Sequence, residues 1–217
     1  NVFSLSGKEE RLEILREGLL AMSVSCGVSV LVELMNDLIE RGLDLSSEIL
    51  VILDGGKGIR KALRNVMGDK ALVQRCRVHK LRNILDHLPK ESCTWFKRMY
   101  EKAWEKETEE KSKEAMESLA KTLEQDHPGA AGSIREGLDE LFTVKRFNIS
   151  EQLSRSLSST NIIENLLGRT RTVTRKVKRW RNGEMIVRWM GTALLEAEKG
   201  FRKIRGYKDL PISNSRT

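Results

Sequence analysis

Two carboxylates stand where they could do chemistry. Asp54 closes the run "EILVIL" and is followed by Gly55 and Gly56. Glu164 is the one acid in residues 160–181, "TNIIENLLGRTRTVTRKVKRWR", and seven Lys or Arg come after it. A short β-branched, leucine-rich run reads as a buried strand, and in open α/β sheets ligands gather outside the C-terminal ends of strands. An Asp at that place also serves to cap a following helix or to close the turn. "DGGKG" lacks the spacing of a phosphate-binding glycine loop. Glu164 has a second reading as well: with Asn161 as N-cap it is the third helical residue, where a capping-box Glu bonds back to the chain. Taken together, the acids have a further use. Both adjoin basic segments, and from Lys57 to Arg82 there are nine Lys or Arg against one acid, Asp69. Two carboxylates in such a setting can hold Mg²⁺, which takes few protein ligands and keeps water or phosphate oxygens. Two such ions about 3.5–4 Å apart activate a nucleophile and steady the leaving oxygen of a phosphodiester.

The cations that follow Glu164 have an order of their own. Wound as a helix, the stretch places Ile162, Ile163, Leu166, Val173, Val177 and Trp180 on one broad face. Glu164, Gly168, Arg171, Arg175 and Lys178 fall on the other. The acid then leads a ridge about 21 Å long at 1.5 Å per residue, matched to several successive phosphates. Arg171, Arg175, Lys178, Arg179 and Arg181 would hold a DNA backbone without reading bases, with Lys57, Arg60 and Lys61 assisting from a neighbouring helix. Trp180 and Trp189 could stack on bases, but packing in the core is the favoured reading of both.

Other reactive side chains point elsewhere. Cys76 and His79, in "RCRVHK", have metal-like spacing, and His87 and Cys93 bring the number of possible zinc ligands to four. Their intervals match no common zinc pattern. A buried thiol beside a hydrogen-bonded imidazole is the favoured reading. Cys26 and Cys93 have no neighbouring base in sequence, and His127, in a loop before Pro128, is incidental.

The elements that must position these residues can be read from periodicity. Residues 29–41 repeat apolar residues at the helical period and stop at Gly42. "EILVIL" is a strand, Lys57 to Val66 a helix, "ALVQRC" a strand and "VHKLRNILDHL" a helix stopped by Pro89. The order α-β-α-β-α over residues 29–88 is that of a layered α/β domain. From Lys90 to about Gln125 a long mixed-charge helical stretch is expected, with Trp95, Met99, Trp104, Met116 and Leu119 on its apolar side. After "DHPGAAGS", "IREGLDELFTV" reads as another helix. Near the start, "FSL" and "LEIL" read as hairpin strands around "SGK".

Composition bounds the class. The chain has 217 residues, 39% of them hydrophobic, and a formal charge of +8. From Thr160 onward there are 14 Lys or Arg against 5 Asp or Glu, so the remainder is close to neutral. Charge gathered in this way is the footprint of a polyanion partner. Three cysteines make no even disulfide framework and fit a reducing cytosol. No apolar run approaches membrane-spanning length, and no signal peptide opens the sequence.

The stretches "VILDGGKGIRKAL" with "GDKALVQRCRVHKLRNILDHLP", "SSTNIIENLLGRTRTVTRKVKRWRNGEM" and "RGYKDLP" together resemble the Mutator-type transposases of bacterial insertion sequences. The similarity runs from about Leu38 to Pro211. It implies an RNase H-like α/β core, a three-layer α/β/α arrangement, with an Asp-Asp-Glu triad and an all-helical insertion ahead of the Glu. On that resemblance Asp54 is the second Asp, Glu164 is the Glu, and Cys76 and His79 form a Cys-x-x-His signature supporting the active-site region. Residues 1–89 become the first part of the core, lacking its first strand, and residues 90–150 the insertion. Residues 151–200 bring the Glu helix and basic ridge, and residues 201–217 a tail. The implied activity is metal-dependent DNA strand cleavage and strand transfer, with Mg²⁺ (or Mn²⁺) as cofactor. Element ends and target DNA are the implied partners, together with a homo-oligomer, in the nucleoid-associated cytoplasm of a bacterium and with no membrane. No residue matches the family's first Asp, and its "G-x-T-E" segment is replaced by "LLAMSVSCGVSV". Strand cleavage by this chain alone is therefore expected to be weak or absent. The rival readings are a DNA-binding relic without chemistry, an RNase H-like nuclease that cuts without joining, and a scaffold with a basic surface.

Overall fold

The computed structural model describes residues 28–210. The expected hairpin near the start, Cys26, most of "LLAMSVSCGVSV" and the residues after 210 lie outside the described residues. The described elements begin with helix α1 (Val28–Glu40), strand β1 (Ile49–Leu53), helix α2 (Lys57–Met67), strand β2 (Ala71–Arg75) and helix α3 (Arg77–Leu85). This is the α-β-α-β-α order expected from periodicity. β1 and β2 pair in parallel as a two-stranded sheet joined through α2, a mixed architecture compatible with the α/β class. α3 ends three residues earlier than expected. His87 and Leu88 close on Ile84 and Leu85 as turns (3.1 and 3.0 Å), because the residue before Pro89 is driven out of helical conformation.

The chain divides into two compact units. One holds residues up to Ile49, then Gly56–Leu72 and Asn161–Lys203; the other holds Leu50–Gly55, Val73–Thr160 and the residues from Ile204 on. The second unit carries the larger core. Its helices are α4 (Lys90–Trp104), α5 (Glu109–Leu123), α6 (Pro128–Arg135) and α7 (Glu151–Leu157). The single long helix expected from Lys90 to Gln125 is instead a pair. The chain breaks at residues 105–108, where the Thr108 hydroxyl accepts from Lys111 N–H at 3.2 Å and caps α5. Doubling back lets Phe96, Tyr100, Ala103 and Trp104 of α4 share a core with Met116, Ala120 and Leu123 of α5. Trp95, expected inside, is exposed.

The helix expected over "IREGLDELFTV" does not form either. α6 stops at Arg135, Gly137 takes the left-handed conformation (φ 67°), and two short 3₁₀ turns follow at Leu138–Glu140 and Thr143–Phe147. The turns bury Leu141, Phe142 and Val144, and the Phe142 ring lies 4.7 Å from that of Trp104. They also join the sheet to the helical block. The fully buried Gln74 of β2 donates to the Leu141 carbonyl (2.6 Å) and accepts from Val144 N–H (2.8 Å). The Thr143 hydroxyl donates to the Val73 carbonyl (2.7 Å).

In the first unit α1 packs on α2, with Leu31, Ala62, Leu63 and Met67 buried. Helix α8 (Asn161–Thr174) packs on α9 (Gly183–Glu198), where Leu166 meets Leu194 and Ala197. The helix expected through residue 181 ends at Thr174. Thr172, Val173 and Thr174 are poor helix formers, and the five cations crowded into residues 175–181 repel one another along a helix face. The chain re-enters a helix where the Asn182 side chain accepts from Met185 N–H at 2.9 Å. The continuous 21 Å ridge is therefore corrected to one helix followed by an irregular basic segment. Lys178, Val177 and Trp180 all lie beyond the helix.

Candidate active site and nucleic-acid interface

Asp54 is the first residue past β1 and is exposed. β1 and β2 run in parallel, and Cys76 N–H donates to the Leu53 carbonyl at 2.6 Å. Asp54 and Cys76 therefore stand side by side at the C-terminal edge of the sheet, where α/β proteins place their ligands. The position ahead of α2 is Gly56, which has no side chain with which to cap. Gly55 has φ +112°, open only to glycine, and turns the chain sharply after the carboxylate.

Cys76 is fully buried and sits at the N-cap of α3. Its Sγ lies 3.3 Å from His79 Nδ1 and accepts from both Thr160 N–H (3.4 Å) and the Thr160 hydroxyl (3.3 Å). The same hydroxyl lies 3.3 Å from His79 Nδ1. Thiol, imidazole and threonine thus form one hydrogen-bonded cluster. Its member Thr160 directly precedes α8, the helix that bears Glu164. Among the described residues, His87 and Cys93 join no group of potential metal ligands. Cys93 Sγ donates instead to the Pro89 carbonyl at 3.4 Å.

Glu164 lies in the first turn of α8 and is exposed. The helix starts at Asn161, so Asn161 is inside it rather than ahead of it, and the cap position expected there moves to Thr160. An acid in a first turn is favoured by the helix dipole. That accounts for its local fit.

The cations group within the first unit. Lys57 opens α2 and is exposed, Lys61 is exposed and Arg60 is half-buried. Arg171 lies in the last turn of α8, and Arg175 follows it with its N–H on the Arg171 carbonyl (2.9 Å). Lys178, Arg179 and Arg181 are exposed in the segment between α8 and α9. Trp180, expected in the core, is exposed amid them, as is Trp189 on α9.

With this geometry in place, a family model described as "Transposase, Mutator family" matches residues 20–203. The chain belongs to the Mutator family of transposases. It is 27% identical over 146 residues to the transposase for insertion sequence element IST2 of Acidithiobacillus ferrooxidans, an alignment covering 67% of this chain and 48% of that protein. It is 28% identical over 173 residues to the transposase for insertion sequence element ISRM5 of Rhizobium meliloti (strain 1021), covering 77% of this chain and 41% of that protein. The chain thus spans less than half the length of each of these transposases. No helix among the described residues is long and apolar enough to cross a membrane.

Three side chains of this Mutator-family chain escape a reading by sequence. Lys176 is exposed beside Arg175 and belongs with the other cations of the segment. Thr160 ends the polar run "SSTN" ahead of a helix, a visible capping signal, but its sulfur partner is 84 residues away. Arg75, nearly fully buried at the end of β2, left no signal, since a strand arginine ordinarily reads as exposed.

Proposed function

We propose that this chain carries the catalytic portion of an insertion-sequence transposase. The full-length transposase would act on DNA by metal-dependent strand cleavage followed by strand transfer, and this chain alone, with no residue matching the family's first Asp, would cut weakly or not at all. The family match over residues 20–203 carries this reading. In it, residues 1–89 and 151–200 belong to an RNase H-like core, residues 90–150 are its helical insertion and residues 201–217 a tail.

Asp54 and Glu164 are the metal-holding carboxylates of this proposal. Both are exposed, and their hard oxygens suit Mg²⁺ or Mn²⁺. Cys76 and His79 already share Thr160 and act as support. A bound divalent ion would supply Lewis acidity toward the attacking hydroxyl and the leaving oxygen. Asp54, at the end of β1, and Glu164, in the first turn of α8, would each give it carboxylate oxygen. Lys57, Arg60, Lys61, Arg171, Arg175, Lys178, Arg179 and Arg181, with Lys176, take the phosphates of the DNA, which fixes register without selecting sequence. Element ends and target DNA are the partners, the working form is a homo-oligomer, and the setting is the nucleoid of a bacterial cytoplasm.

The test is strand transfer of pre-cleaved element ends in Mg²⁺ by the full-length transposase with Asp54→Asn or Glu164→Gln. Transfer should vanish while DNA affinity holds. Retained transfer removes the altered residue from the site. A wild-type protein that binds DNA but never cuts or joins would make this a binding module instead.

A further inference from the structure

Arg75 ends β2 with its side chain only 3% exposed. Buried arginines are rare unless paired, and this one is paired from the helical block. Its Nη2 donates to the Glu136 carboxylate at 3.1 Å and its Nη1 to the Glu136 carbonyl at 3.5 Å. Lys80, also fully buried, holds the same stretch through the Ser133 and Glu136 carbonyls. One donor is left over. Arg75 Nε is buried and finds no hydrogen-bond partner, and a buried orphan donor in a native site calls for a reason.

The reason lies across the sheet edge, at Gly55. A Cβ there would come within 2.7 Å of Arg75 Nη2, 2.8 Å of Cζ and 2.9 Å of Nε. Three guanidinium atoms at nearly equal distance mean that the planar group itself lies against the Gly55 Cα. Gly55 is thus fixed twice, by a φ of +112° and by a neighbour that leaves no room for a side chain. Asp54 is joined to Gly55 by one peptide bond, so the seating of Gly55 sets the direction in which the Asp54 carboxylate leaves β1.

We infer that Arg75 is a positioning residue for Asp54. Its guanidinium, anchored by Glu136, is the surface on which the Asp54–Gly55 turn rests, and through that turn it aims the carboxylate. The inference rests on the proposed role of Asp54 as a metal ligand. Partners one step behind a metal ligand orient it, and their loss costs about 10–100-fold in metal affinity. Lysine cannot substitute here, because it keeps the charge but has neither the planar fork nor the shape.

The experiment titrates Mn²⁺ into the ¹⁵N-labelled chain and follows paramagnetic broadening of the amide signals of residues 54 and 55. Wild type should show these signals broadened selectively, and Asp54→Asn should abolish the effect. If Asp54→Asn broadens like wild type, the metal-ligand reading of Asp54 fails, whatever Arg75 does. Where Asp54→Asn abolishes it, Arg75→Lys and Gly55→Ala should each raise the Mn²⁺ needed for half-broadening by about 10–100-fold. Wild-type Mn²⁺ response in both overturns the inference. Thr143→Val separates positioning from mere loss of stability: it removes the bond to the Val73 carbonyl of the same strand (2.7 Å) and leaves Arg75 and the turn with their own partners, so it should lower the melting temperature and leave the Mn²⁺ response alone. A Thr143→Val response as weak as that of Arg75→Lys also overturns the inference. If either turn variant fails to fold, Glu136→Gln removes the charge that anchors Arg75 from a half-exposed position. It must shift the Mn²⁺ response in the same direction or the inference falls.

Discussion

The basic segment between α8 and α9 makes a quantitative prediction about salt. All seven cations from Arg169 to Arg181 are exposed, and among the described residues none of them is held in an ion pair. Each that neutralises a phosphate of duplex DNA adds about 0.9 to the slope of log affinity against log salt. If all seven do so, raising salt from about 50 to about 200 mM should weaken binding by about three to four orders of magnitude. Replacing Lys176, Lys178, Arg179 and Arg181 with alanine removes four of them at positions outside any helix, so the fold should be unaffected. The slope should then flatten by about 3.6, and the loss over the same salt range should shrink to about one and a half orders of magnitude. Fluorescence anisotropy on a labelled duplex of arbitrary sequence reads both numbers. Arg155→Ala is the control, because that exposed cation is paired with Glu151 at 2.6 Å and belongs to the other unit. A quadruple variant with the wild-type slope, or a control that flattens it equally, would refute the assignment of this segment to the DNA backbone.

Three further outcomes follow from single side chains. Trp180→Ala should weaken single-stranded DNA binding by about 1–3 kcal/mol while leaving the salt slope unchanged, since stacking on an exposed indole releases no counterions; an altered slope would place Trp180 elsewhere. Gln74→Leu strands the buried Val144 N–H and Leu141 carbonyl, at about 1–3 kcal/mol each, and urea unfolding should show a loss of about 2–6 kcal/mol. Burial pushes the Glu109 carboxyl up, but the hydrogen bonds from Arg146 and Lys113 outweigh burial and hold it below its ordinary range. With the folded value depressed, the stabilisation from these pairs is present above the unfolded value of about 4.3 and is lost as pH falls through the folded value. The urea midpoint should therefore drop on acidification, and Glu109→Gln should flatten that drop.

The difference between what periodicity disclosed and what it hid has a physical cause. β1, α2 and β2 were legible because each is a local pattern, a β-branched run or an amphipathic turn, bounded by glycine or a polar cap. The two carboxylates were legible for the same reason, standing at the first position past a strand and in the first turn of a helix. The failures share a different trait. α4 and α5 read as one helix because nothing local at residues 105–108 forbids helix; the break is set by the core that Trp104 and Met116 share once the chain doubles back. "IREGLDELFTV" carries a helical period, yet its apolar residues are buried through two 3₁₀ turns whose backbone is fixed by Gln74 and Thr143. Trp180 reads as core because tryptophan usually is and because the apolar period of α8 carries on past Thr174, masking the weak helix formers and crowded cations that end the helix six residues earlier.

The same reasoning explains why the side chains beside the candidate site were the hardest to find. Cys76 with Thr160, and Arg75 with Gly55 and Glu136, are partners separated by 20 to 84 positions. No window of sequence contains both members of such a pair, so neither member signals its task. Gly55 comes nearest to an exception. A glycine after a strand-ending Asp announces a sharp turn, but the turn could as well have been left open to solvent. What distinguishes it is that the space a side chain would fill is taken by a buried guanidinium. A residue of β2 thereby constrains the backbone at the end of its neighbour β1, and on the inference drawn above the carboxylate proposed to hold the metal is aimed by a group that need never touch the metal itself.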